Sequence, residues 1–510
     1  MPEVYWTEER LPRFPQPTGD VTVDVAVIGG GITGVTTAFL LKQAGLTVAL
    51  LEKGAVGRAE TGHTTAHLTY VTDRRLPELV DALGRDHARA LWEAGEAAIL
   101  QIEDLVESEK IECEFAWVPG YLHEPWNLTA HSQKTSLSED AALAEEFGFH
   151  ATYLDVVPVA NGVGVRFTNQ AKFHPLKYLK ALAARIPGDG SFVFEKTEVG
   201  EISAEPLRLK SGAHHVSCGK VVVATHVPLV GIAGLMKATL LQTKLQLYST
   251  YAIGAKLPPD TLPEAMFWDT SDPYYYLRVE RRDDHQYIIF GGEDHKTGQA
   301  TTTGDQYRKL EQLLRSIVPA AEVTHRWSGQ VIETSDGLPY IGEFETGQFI
   351  ATGFSGNGMT FGTIAAVMIR DALLGRANPW RELFDPHRAG FKGGAWDYVK
   401  ENADYPYYLI RDRLRGADAA SVDEVRPGEG RIVRIDGRPV AVSRDEQGEL
   451  SAVSAACTHM GCLVHWNDAE KTWDCPCHGS RFQCDGSVMA GPAETPLEKQ
   501  DLGAIAPAKH

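Results

Sequence analysis

The feature that most constrains the fold is a glycine-rich turn near the amino terminus, placed between a strand and a helix. The β-branched run Val21–Ile28 leads into Gly29-Gly30-Gly31-Ile32-Thr33-Gly34, and a helical pattern follows. A second apolar run, 47–51, ends at Glu52, which follows the last glycine by 18 residues. Strand, G-x-G-x-x-G turn, helix, strand and acid in this order predict a βαβ unit that binds a dinucleotide. A glycine turn without a ligand is the alternative.

Each residue of the turn has its own physical role. Gly29 permits the tight turn, Gly31 lets the backbone approach a pyrophosphate at the helix N-terminus, and Gly34 lets the helix pack closely on the strand. Glu52 can accept hydrogen bonds from a ribose. These roles require small residues at three fixed positions, which is why the spacing is informative.

Two further segments favour FAD over NAD as the dinucleotide. Thr61-Gly62-His63-Thr64-Thr65-Ala66 is a second loop of small residues, suited to wrapping phosphates and a ring edge. Gly353-Phe354-Ser355-Gly356-Asn357-Gly358-Met359-Thr360 leads into a helical pattern over 364–373. A glycine turn that opens a helix can direct backbone N–H groups and the positive dipole end at a flavin ring. Alone this turn would be an ordinary helix start, but with the first site it favours FAD.

Charge and composition exclude several classes of protein. The 510 residues contain 49 Lys and Arg against 68 Asp and Glu, a net charge of −19, which argues against broad binding to nucleic acid or anionic membranes. The apolar stretch 21–51 is interrupted by Asp24, Lys42 and glycines, so no membrane span is predicted. The amino terminus lacks the basic start and apolar core of a secretory signal. A cytoplasmic location is therefore expected.

The carboxyl-terminal region contains a concentrated set of metal-ligating residues. Five of the seven cysteines lie between 457 and 484, and all of these except Cys484 fall in two boxes, Cys457-Thr458-His459-Met460-Gly461-Cys462 and Cys475-Pro476-Cys477-His478-Gly479-Ser480. Two Cys and two His could bind tetrahedral zinc. Each box also holds an additional cysteine, so Cys462 and Cys477 can pair and lock the two loops together. The glycines permit tight loops whose N–H groups can point at sulfide, which favours an iron–sulfur cluster.

The first ~395 residues resemble the D-amino-acid-oxidase-like flavoproteins, the group that includes glycine and sarcosine oxidases and γ-glutamylputrescine oxidoreductase. Besides the glycine turn and Gly353–Thr360, the matching segments are Phe173-His174-Pro175-Leu176, Ala224-Thr225-His226, Trp327-Ser328-Gly329 and Asp336-Gly337-Leu338-Pro339-Tyr340-Ile341-Gly342. The resemblance implies FAD and oxidation of a C–N bond by hydride transfer. Some members attach the flavin through a histidine in the loop after the second strand, so His63 is a candidate for covalent attachment; a histidine that only packs or hydrogen-bonds is the alternative. The residues expected to contact FAD are Gly29, Gly31, Gly34, Glu52, Lys53, Gly62, His63, Thr64, Thr65, Val199, Gly356, Gly358, Met359 and Thr360.

Residues 421–510 resemble a Rieske module, in which two His replace two Cys on one iron of a [2Fe–2S] cluster. By that resemblance Cys457 and Cys475 bind one iron, while His459 and His478 bind the other. The additional pair, Cys462 and Cys477, is expected to form a disulfide, as in the high-potential Rieske proteins of respiratory complexes. Ring-hydroxylating oxygenases also carry Rieske centres, but the D-x-x-H-x-x-x-x-H run that would hold their mononuclear iron is absent from this sequence.

The predicted fold class is an α/β Rossmann-like FAD-binding domain with an inserted antiparallel-sheet substrate domain, followed by an all-β Rieske domain. The flavoprotein part spans 1–395, with FAD-binding segments at 20–75, 150–230 and 325–395 and the substrate-domain sheet at 231–324. A connector at 396–420 precedes the Rieske domain at 421–510. In the substrate sheet, alternation places Tyr274, Tyr276 and Arg278 on one face, so Tyr276 and Arg278 are candidates to hold a substrate carboxylate. Core packing of the aromatics and pairing of Arg278 with a surface acid are the alternative.

The expected function is oxidation of an amine or amino acid, with electrons passed from FAD to the Rieske cluster and on to an external protein or quinone-like acceptor. The sequence is also compatible with two other functions. The Rieske module could sense redox state or dock a partner beside an idle flavin, or a ferredoxin could feed electrons inward to the flavin. The fold alone does not choose the substrate.

Overall fold

The computed structural model describes residues 4–126, 134–160, 162–227, 244–299, 303–388, 418–419, 421–435 and 437–501. The predicted connector, 396–420, lies outside these residues except for 418–419, and so does the part of the predicted substrate sheet at 231–243.

The described residues form eight α-helices and 24 strands, numbered in chain order. The helices are α1 (Ile32–Gln43), α2 (Leu76–Leu83), α3 (Arg85–Ser108), α4 (Lys134–Glu146), α5 (Pro175–Arg185), α6 (Asp305–Ile317), α7 (Gly358–Leu373) and α8 (Arg381–Phe384). The strands up to residue 352 are β1 (Val21–Ile28), β2 (Val48–Leu51), β3 (His67–Leu68), β4 (Ala116–His123), β5 (Ala151–Leu154), β6 (Gly164–Lys172), β7 (Phe192–Phe194), β8 (Glu201–Ala204), β9 (Leu207–Ser211), β10 (His214–Val223), β11 (Leu245–Leu257), β12 (Met266–Asp269), β13 (Tyr276–Arg281), β14 (Gln286–Lys296), β15 (Glu322–Thr334), β16 (Tyr340–Glu345) and β17 (Gln348–Thr352). The remaining strands are β18 (Gly430–Ile435), β19 (Arg438–Arg444), β20 (Leu450–Ser454), β21 (His465–Asn467), β22 (Thr472–Asp474), β23 (Arg481–Gln483) and β24 (Val488–Ala490).

The first sheet is the predicted dinucleotide-binding scaffold. Its strands lie in the order β16-β17-β10-β1-β2-β7, and the pairs from β17 to β7 are all parallel. The central strand β1 carries side chains buried on both faces over 25–28, as expected of a parallel strand covered on both sides. Helix α1 follows β1 and packs against α7, so the two glycine turns come to one side of the sheet.

The second sheet has nine strands, in the order β15-β11-β14-β13-β12-β4-β6-β3, with β5 beside β6. The sequence placed this sheet at 231–324, and that boundary needs correction, because four strands come from 67–172 and β15 continues to Thr334. Consequently the segment 150–230, assigned above to FAD binding, contributes β5 and β6 to the second sheet. The pairing of β4 with β12 joins residues almost 150 positions apart, which no local pattern reveals.

The carboxyl-terminal region is all-β, as predicted. Strands β18–β20 form a three-stranded antiparallel sheet, and β21–β24 form a second antiparallel sheet of four strands. The two ligand boxes lie in the loops that flank β21 and β22. Cys457, Cys475, Trp473 and Phe482 belong to the buried apolar cluster between them, so the boxes are fixed to a packed core.

Candidate functional site

The glycine turn has the geometry that its spacing predicts. Gly29 has φ +105°, and a Cβ there would lie 2.4 Å from the Ala224 carbonyl oxygen, so only glycine fits without strain. A Cβ at Gly34 would lie 1.9 Å from the Gly29 carbonyl oxygen. Helix α1 therefore packs against the turn at a distance that any side chain at Gly34 would prevent.

Glu52 closes the same turn from the end of β2. Its two carboxylate oxygens accept hydrogen bonds from the backbone N–H groups of Gly30 and Gly54, each at 2.7 Å. These bonds hold the carboxylate at the cavity wall, where the predicted ribose contact would be made. Glu52 thus has a structural function in the turn as well as its predicted role in binding.

A single cavity of about 1560 Å³ extends from the glycine turn to the second sheet. Ordinary ligand pockets have volumes of about 300–1,000 Å³, so this one can hold a large cofactor together with a substrate. Among the residues predicted to contact FAD, those that line it are Gly29, Gly31, Glu52, Lys53, His63, Thr64, Thr65, Val199, Gly356, Gly358 and Met359. The other three, Gly34, Gly62 and Thr360, do not line the cavity. Gly34 and Gly62 allow close backbone packing, and the buried Thr360 hydroxyl donates to the Asn357 carbonyl oxygen.

The start of α7 supplies an observation that points to a ligand. Asn357 is 8% exposed and lines the cavity, and its side-chain Nδ2 has no hydrogen-bond partner among the described residues. Buried amide groups in folded proteins are nearly always hydrogen-bonded. Together with the open cradle at Gly29 and Gly31, this donor fits a bound dinucleotide with acceptor atoms near α7. The sequence showed the turn but did not single out Asn357.

His63 lies at the end of a short 3₁₀ turn, Glu60–His63, on the cavity wall. Its ring Nδ1 is 3.0 Å from the Ala59 carbonyl oxygen, and its own carbonyl oxygen accepts a hydrogen bond from Trp327 Nε1 at 2.9 Å. The backbone at this position is therefore fixed. Covalent attachment of flavin through His63 stays a prediction.

Replacing Gly34 with alanine tests the glycine turn. The added Cβ must displace the Gly29 carbonyl, so we expect loss of bound FAD and destabilisation by about 1–3 kcal/mol, as for other overpacked sites. The measurements are flavin absorbance per chain and the urea midpoint. Gly19→Ala is the matched control, because nothing lies within 4 Å of a Cβ at that position. Full flavin content in Gly34→Ala would show that the turn does not hold the cofactor.

The two metal-ligand boxes adopt the same turn. In each box a glycine four residues after a cysteine donates its N–H to that cysteine's carbonyl oxygen at 2.9 Å, Gly461 to Cys457 and Gly479 to Cys475. Both glycines have positive φ, +76° and +70°. The sequence spacing thus produces a pair of matching loops, each presenting one cysteine and one histidine.

The donor groups of the boxes fit a [2Fe–2S] cluster of the Rieske type. Cys457 and Cys475 are buried free thiols, and the rings of His459 and His478 lie 5.0 Å apart, with the buried Nδ1 of His459 lacking a partner among the described residues. Burial lowers the pKa of both histidines, that of His478 to about 4, so the imidazoles are neutral and able to ligate metal. A hydrogen bond with Cys475 lowers the pKa of the Cys457 thiol to about 7.

A disulfide joins Cys462 to Cys477, as expected. The two Cα atoms are 6.5 Å apart, and the bond ties the first box to the second. The sulfur atoms of Cys462, Cys475 and Cys477 all lie within 4.8 Å of one another, so the bridge packs against a predicted ligand. A third loop closes the site, because the N–H of Ala493 donates to the Ser480 hydroxyl at 2.9 Å.

The second box is docked on the wall of the large cavity. Gln330 on β15 donates from its side-chain Nε2 to the Gly479 carbonyl oxygen at 2.9 Å, and its backbone N–H donates to Glu60 of the cavity wall at 2.7 Å. Nearby, the Gln299 side chain donates to the Pro476 carbonyl oxygen at 3.0 Å. Residues 491–495 of the third loop themselves line the cavity. The predicted cluster site and the large cavity therefore share one wall, a relation that the sequence did not reveal.

The predicted substrate contact of Arg278 is corrected by the structure. Arg278 is 1% exposed, is absent from the cavity wall and forms a buried ion pair with Glu280. Its guanidinium donates to the carbonyl oxygens of Thr65, Ala66 and Phe173 at 3.1, 2.5 and 2.7 Å. Alternation along β13 did place Arg278 on the inner side, but the packed loop 65–66 lies between it and the cavity.

Tyr276 does line the cavity, as expected of a residue that touches substrate. Its hydroxyl is 2.9 Å from the Thr250 hydroxyl, and its ring centroid is 5.6 Å from that of Tyr274. Its contact with substrate stays a proposal.

Comparison with known proteins identifies the class of this protein. Residues 24–372 match the FAD dependent oxidoreductase (DAO) family, and residues 417–501 match the Rieske [2Fe-2S] domain. The chain therefore belongs to the FAD dependent oxidoreductase family and carries a Rieske domain at its carboxyl-terminal end. Its cofactors are FAD and a [2Fe–2S] cluster, and the predicted fold class is confirmed.

Individual relatives share one or both parts. YhfW of Bacillus subtilis, whose name describes it as a Rieske 2Fe-2S iron-sulfur protein, is 35% identical over 513 residues and 98% of both chains. The γ-glutamylputrescine oxidoreductase of Escherichia coli is 25% identical over 77% of this chain and 94% of its own. The structure of glycine oxidase from Geobacillus kaustophilus has 19% identity and a TM-score of 0.59, covering 72% of this chain and 99% of that one, which shows the shared fold.

Within the described part of the chain, no helix has both the length and the apolar content needed to cross a bilayer.

Proposed function

We propose that this protein oxidises a C–N bond of an amine or amino acid and passes the electrons through its Rieske cluster to an external acceptor. The observation that carries the proposal is the shared wall between the cavity and the second ligand box, built by Gln330, Glu60 and Gly479. The similarity to γ-glutamylputrescine oxidoreductase supports a nitrogen-containing substrate. The expected cytoplasmic location stays a prediction.

The residues of the chain divide the work as follows. The glycine turn and the start of α7 hold the dinucleotide through backbone N–H groups, and Glu52 holds a ribose. Cys457 and Cys475 bind one iron, while His459 and His478 bind the other. When bound, FAD accepts a pair of electrons from an organic substrate and the cluster carries electrons one at a time. Gln330 of β15 joins Glu60 on the cavity wall to Gly479 of the second ligand box, and so fixes the loops that would hold the cluster to the wall of the cavity.

The direct test is anaerobic addition of amines and amino acids to the purified protein, with flavin absorbance and low-temperature EPR recorded together. We expect flavin bleaching followed by the EPR signal of a reduced Rieske cluster, because the two sites share a wall. Dithionite reduction supplies the reference signal for the cluster. If dithionite gives that signal while no compound of the panel bleaches the flavin, the C–N oxidation proposal is wrong.

A further inference from the structure

A carboxylate lies beside the turn that opens α7. The Tyr274 hydroxyl donates to Asp73 Oδ1 at 3.1 Å, and a Cβ at Gly356 would lie 2.8 Å from Asp73 Oδ2. Asp73 is exposed, and it is one of the residues that line the cavity. The carboxylate therefore faces the space in front of the segment expected to hold the flavin.

A second carboxylate reaches the same space through an irregularity in the second sheet. The register of β14 against β11 shifts between Ser249 and Tyr251, and Glu293 has φ +60°. Bulges of this kind re-aim a side chain, and here Asp294 enters the cavity wall. Thr250 contributes a side-chain hydrogen bond to this carboxylate, while its Oδ1 is buried and has no hydrogen-bond partner among the described residues. A buried carboxylate with an unpaired oxygen is costly, and a positive charge in the adjacent cavity would lower that cost.

The two acids also repel each other. Desolvation by the protein around the cavity raises the pKa of Asp73 to about 8, with further increases from the carboxylates of Glu333 and Asp294. Burial likewise raises the pKa of Asp294 to about 7. A positive charge placed between these groups would relieve both the desolvation and the repulsion.

Positive side chains do not offset the acids at this end of the cavity. Four Lys and Arg residues among the described part of the chain line the cavity, namely Lys53, Arg75, Lys196 and Lys210. Three of them follow or belong to strands of the first sheet, whereas the acids lie with the second sheet. The fourth, Arg75, donates to Asp140 through Nε at 2.9 Å and is neutralised by that ion pair.

Aromatic rings complete the surroundings. Tyr274 and Tyr276 lie beside the acids, and Trp268, Trp92 and Phe167 line the same cavity. The faces of aromatic rings attract ammonium groups electrostatically, especially where water is excluded. Acids without cations, together with aromatic walls, favour a positively charged ligand over an anionic one.

We propose that Asp73 and Asp294 form a cation-binding subsite, so that the substrate is a cationic amine without a carboxylate group beside its nitrogen. This inference rests on the proposed function and narrows it from amines and amino acids to amines. Arg278 does not line the cavity and so cannot bind a substrate carboxylate, which agrees with a substrate that lacks one.

Binding of matched small molecules tests the subsite. Three probes have similar shapes but different charges: phenethylamine is a cation, 2-phenylethanol is neutral and 3-phenylpropionate is an anion. Calorimetry measures their binding to the holoprotein after reduction by dithionite, which prevents turnover. We expect phenethylamine to bind about tenfold or more tightly than the alcohol, an effect of one charge-assisted hydrogen bond, and the acid to bind most weakly. Phenylpropionate binding as tightly as phenethylamine would overturn the subsite.

Single variants assign the effect to the acids. Asp73→Asn and Asp294→Asn are each expected to reduce the preference for phenethylamine about tenfold, while Asp73→Glu retains most of it. Asp283→Asn is the matched control, because Asp283 is an exposed acid that follows β13 and is not among the cavity-lining residues. Flavin content and the urea midpoint show that each variant is folded. An unchanged preference in both asparagine variants contradicts the inference.

The outcomes separate this inference from the proposed function. Charge-dependent binding that depends on Asp73 and Asp294, without flavin bleaching by any amine, supports the subsite and rejects the C–N oxidation. Flavin bleaching by amines whose binding is unaffected by either substitution supports the oxidation and rejects the subsite.

Discussion

Replacing Cys457 with serine is expected to abolish electron delivery to an external acceptor while leaving reduction of the flavin by substrate intact. Cys457 is a buried free thiol in the first box, and serine does not replace it as a ligand to iron. We expect no Rieske EPR signal after dithionite reduction. Turnover with cytochrome c, a one-electron probe too large to enter the cavity, should fall by more than about 100-fold, or about 2.7 kcal/mol in the barrier.

The matched control is Cys484→Ser in the same domain. Cys484 is exposed, forms no disulfide and lies outside both boxes, so its replacement should leave the EPR signal and the cytochrome c rate unchanged. Anaerobic bleaching of the flavin serves as the internal reference in both variants. Wild-type rates of cytochrome c reduction in Cys457→Ser would mean that electrons leave from the flavin directly, and the redox-sensing or docking reading of the Rieske domain would then be favoured.

The parts of the structure that depend on short sequence spacings were predictable. The turn at Gly29–Gly34, the acid at Glu52 and the two boxes are each encoded within about twenty residues, and their backbone requirements restrict which residue types fit. The disulfide between Cys462 and Cys477 belongs to the same group, since both cysteines lie inside the boxes. Local chemistry at these positions fixes the local geometry.

The parts that depend on distant pairing were not predictable. Strands β4 and β6 join the second sheet from positions far upstream, and Asp294 faces the cavity only because of a bulge opposite Thr250. Gln330 directly follows the Trp327-Ser328-Gly329 segment, yet its contact with Gly479 appears only once the domains are packed together. A single sequence contains no register information of this kind, because each such contact is set by tertiary packing.

Arg278 illustrates the same limit and gives the second prediction. Alternation placed it on the inner face of β13, but that face is covered there by loop 65–66, whose carbonyl oxygens accept from the guanidinium. The residue therefore holds loop 65–66 in place from the side that faces away from the cavity. Arg278→Met should lower the free energy of unfolding by about 3–5 kcal/mol, because three carbonyl oxygens lose their donor and Glu280 is left with Arg282 as its ion-pair partner.

The neighbouring arginine is the control for this prediction. Arg281 pairs with Asp260 at 3.1 Å, but both side chains are more than half exposed, and Arg281→Met should cost only about 0–1 kcal/mol. Urea unfolding, followed by tryptophan fluorescence, gives the free energy of unfolding of both variants. Titration of each folded holoprotein with phenethylamine and 3-phenylpropionate then gives the two affinities. If Arg278 instead held a substrate carboxylate, its replacement would leave stability unchanged and weaken only the binding of 3-phenylpropionate. A large loss of stability with an unchanged order of ligand affinities identifies Arg278 as part of the scaffold, and leaves recognition of the substrate to the acids and rings that face the cavity.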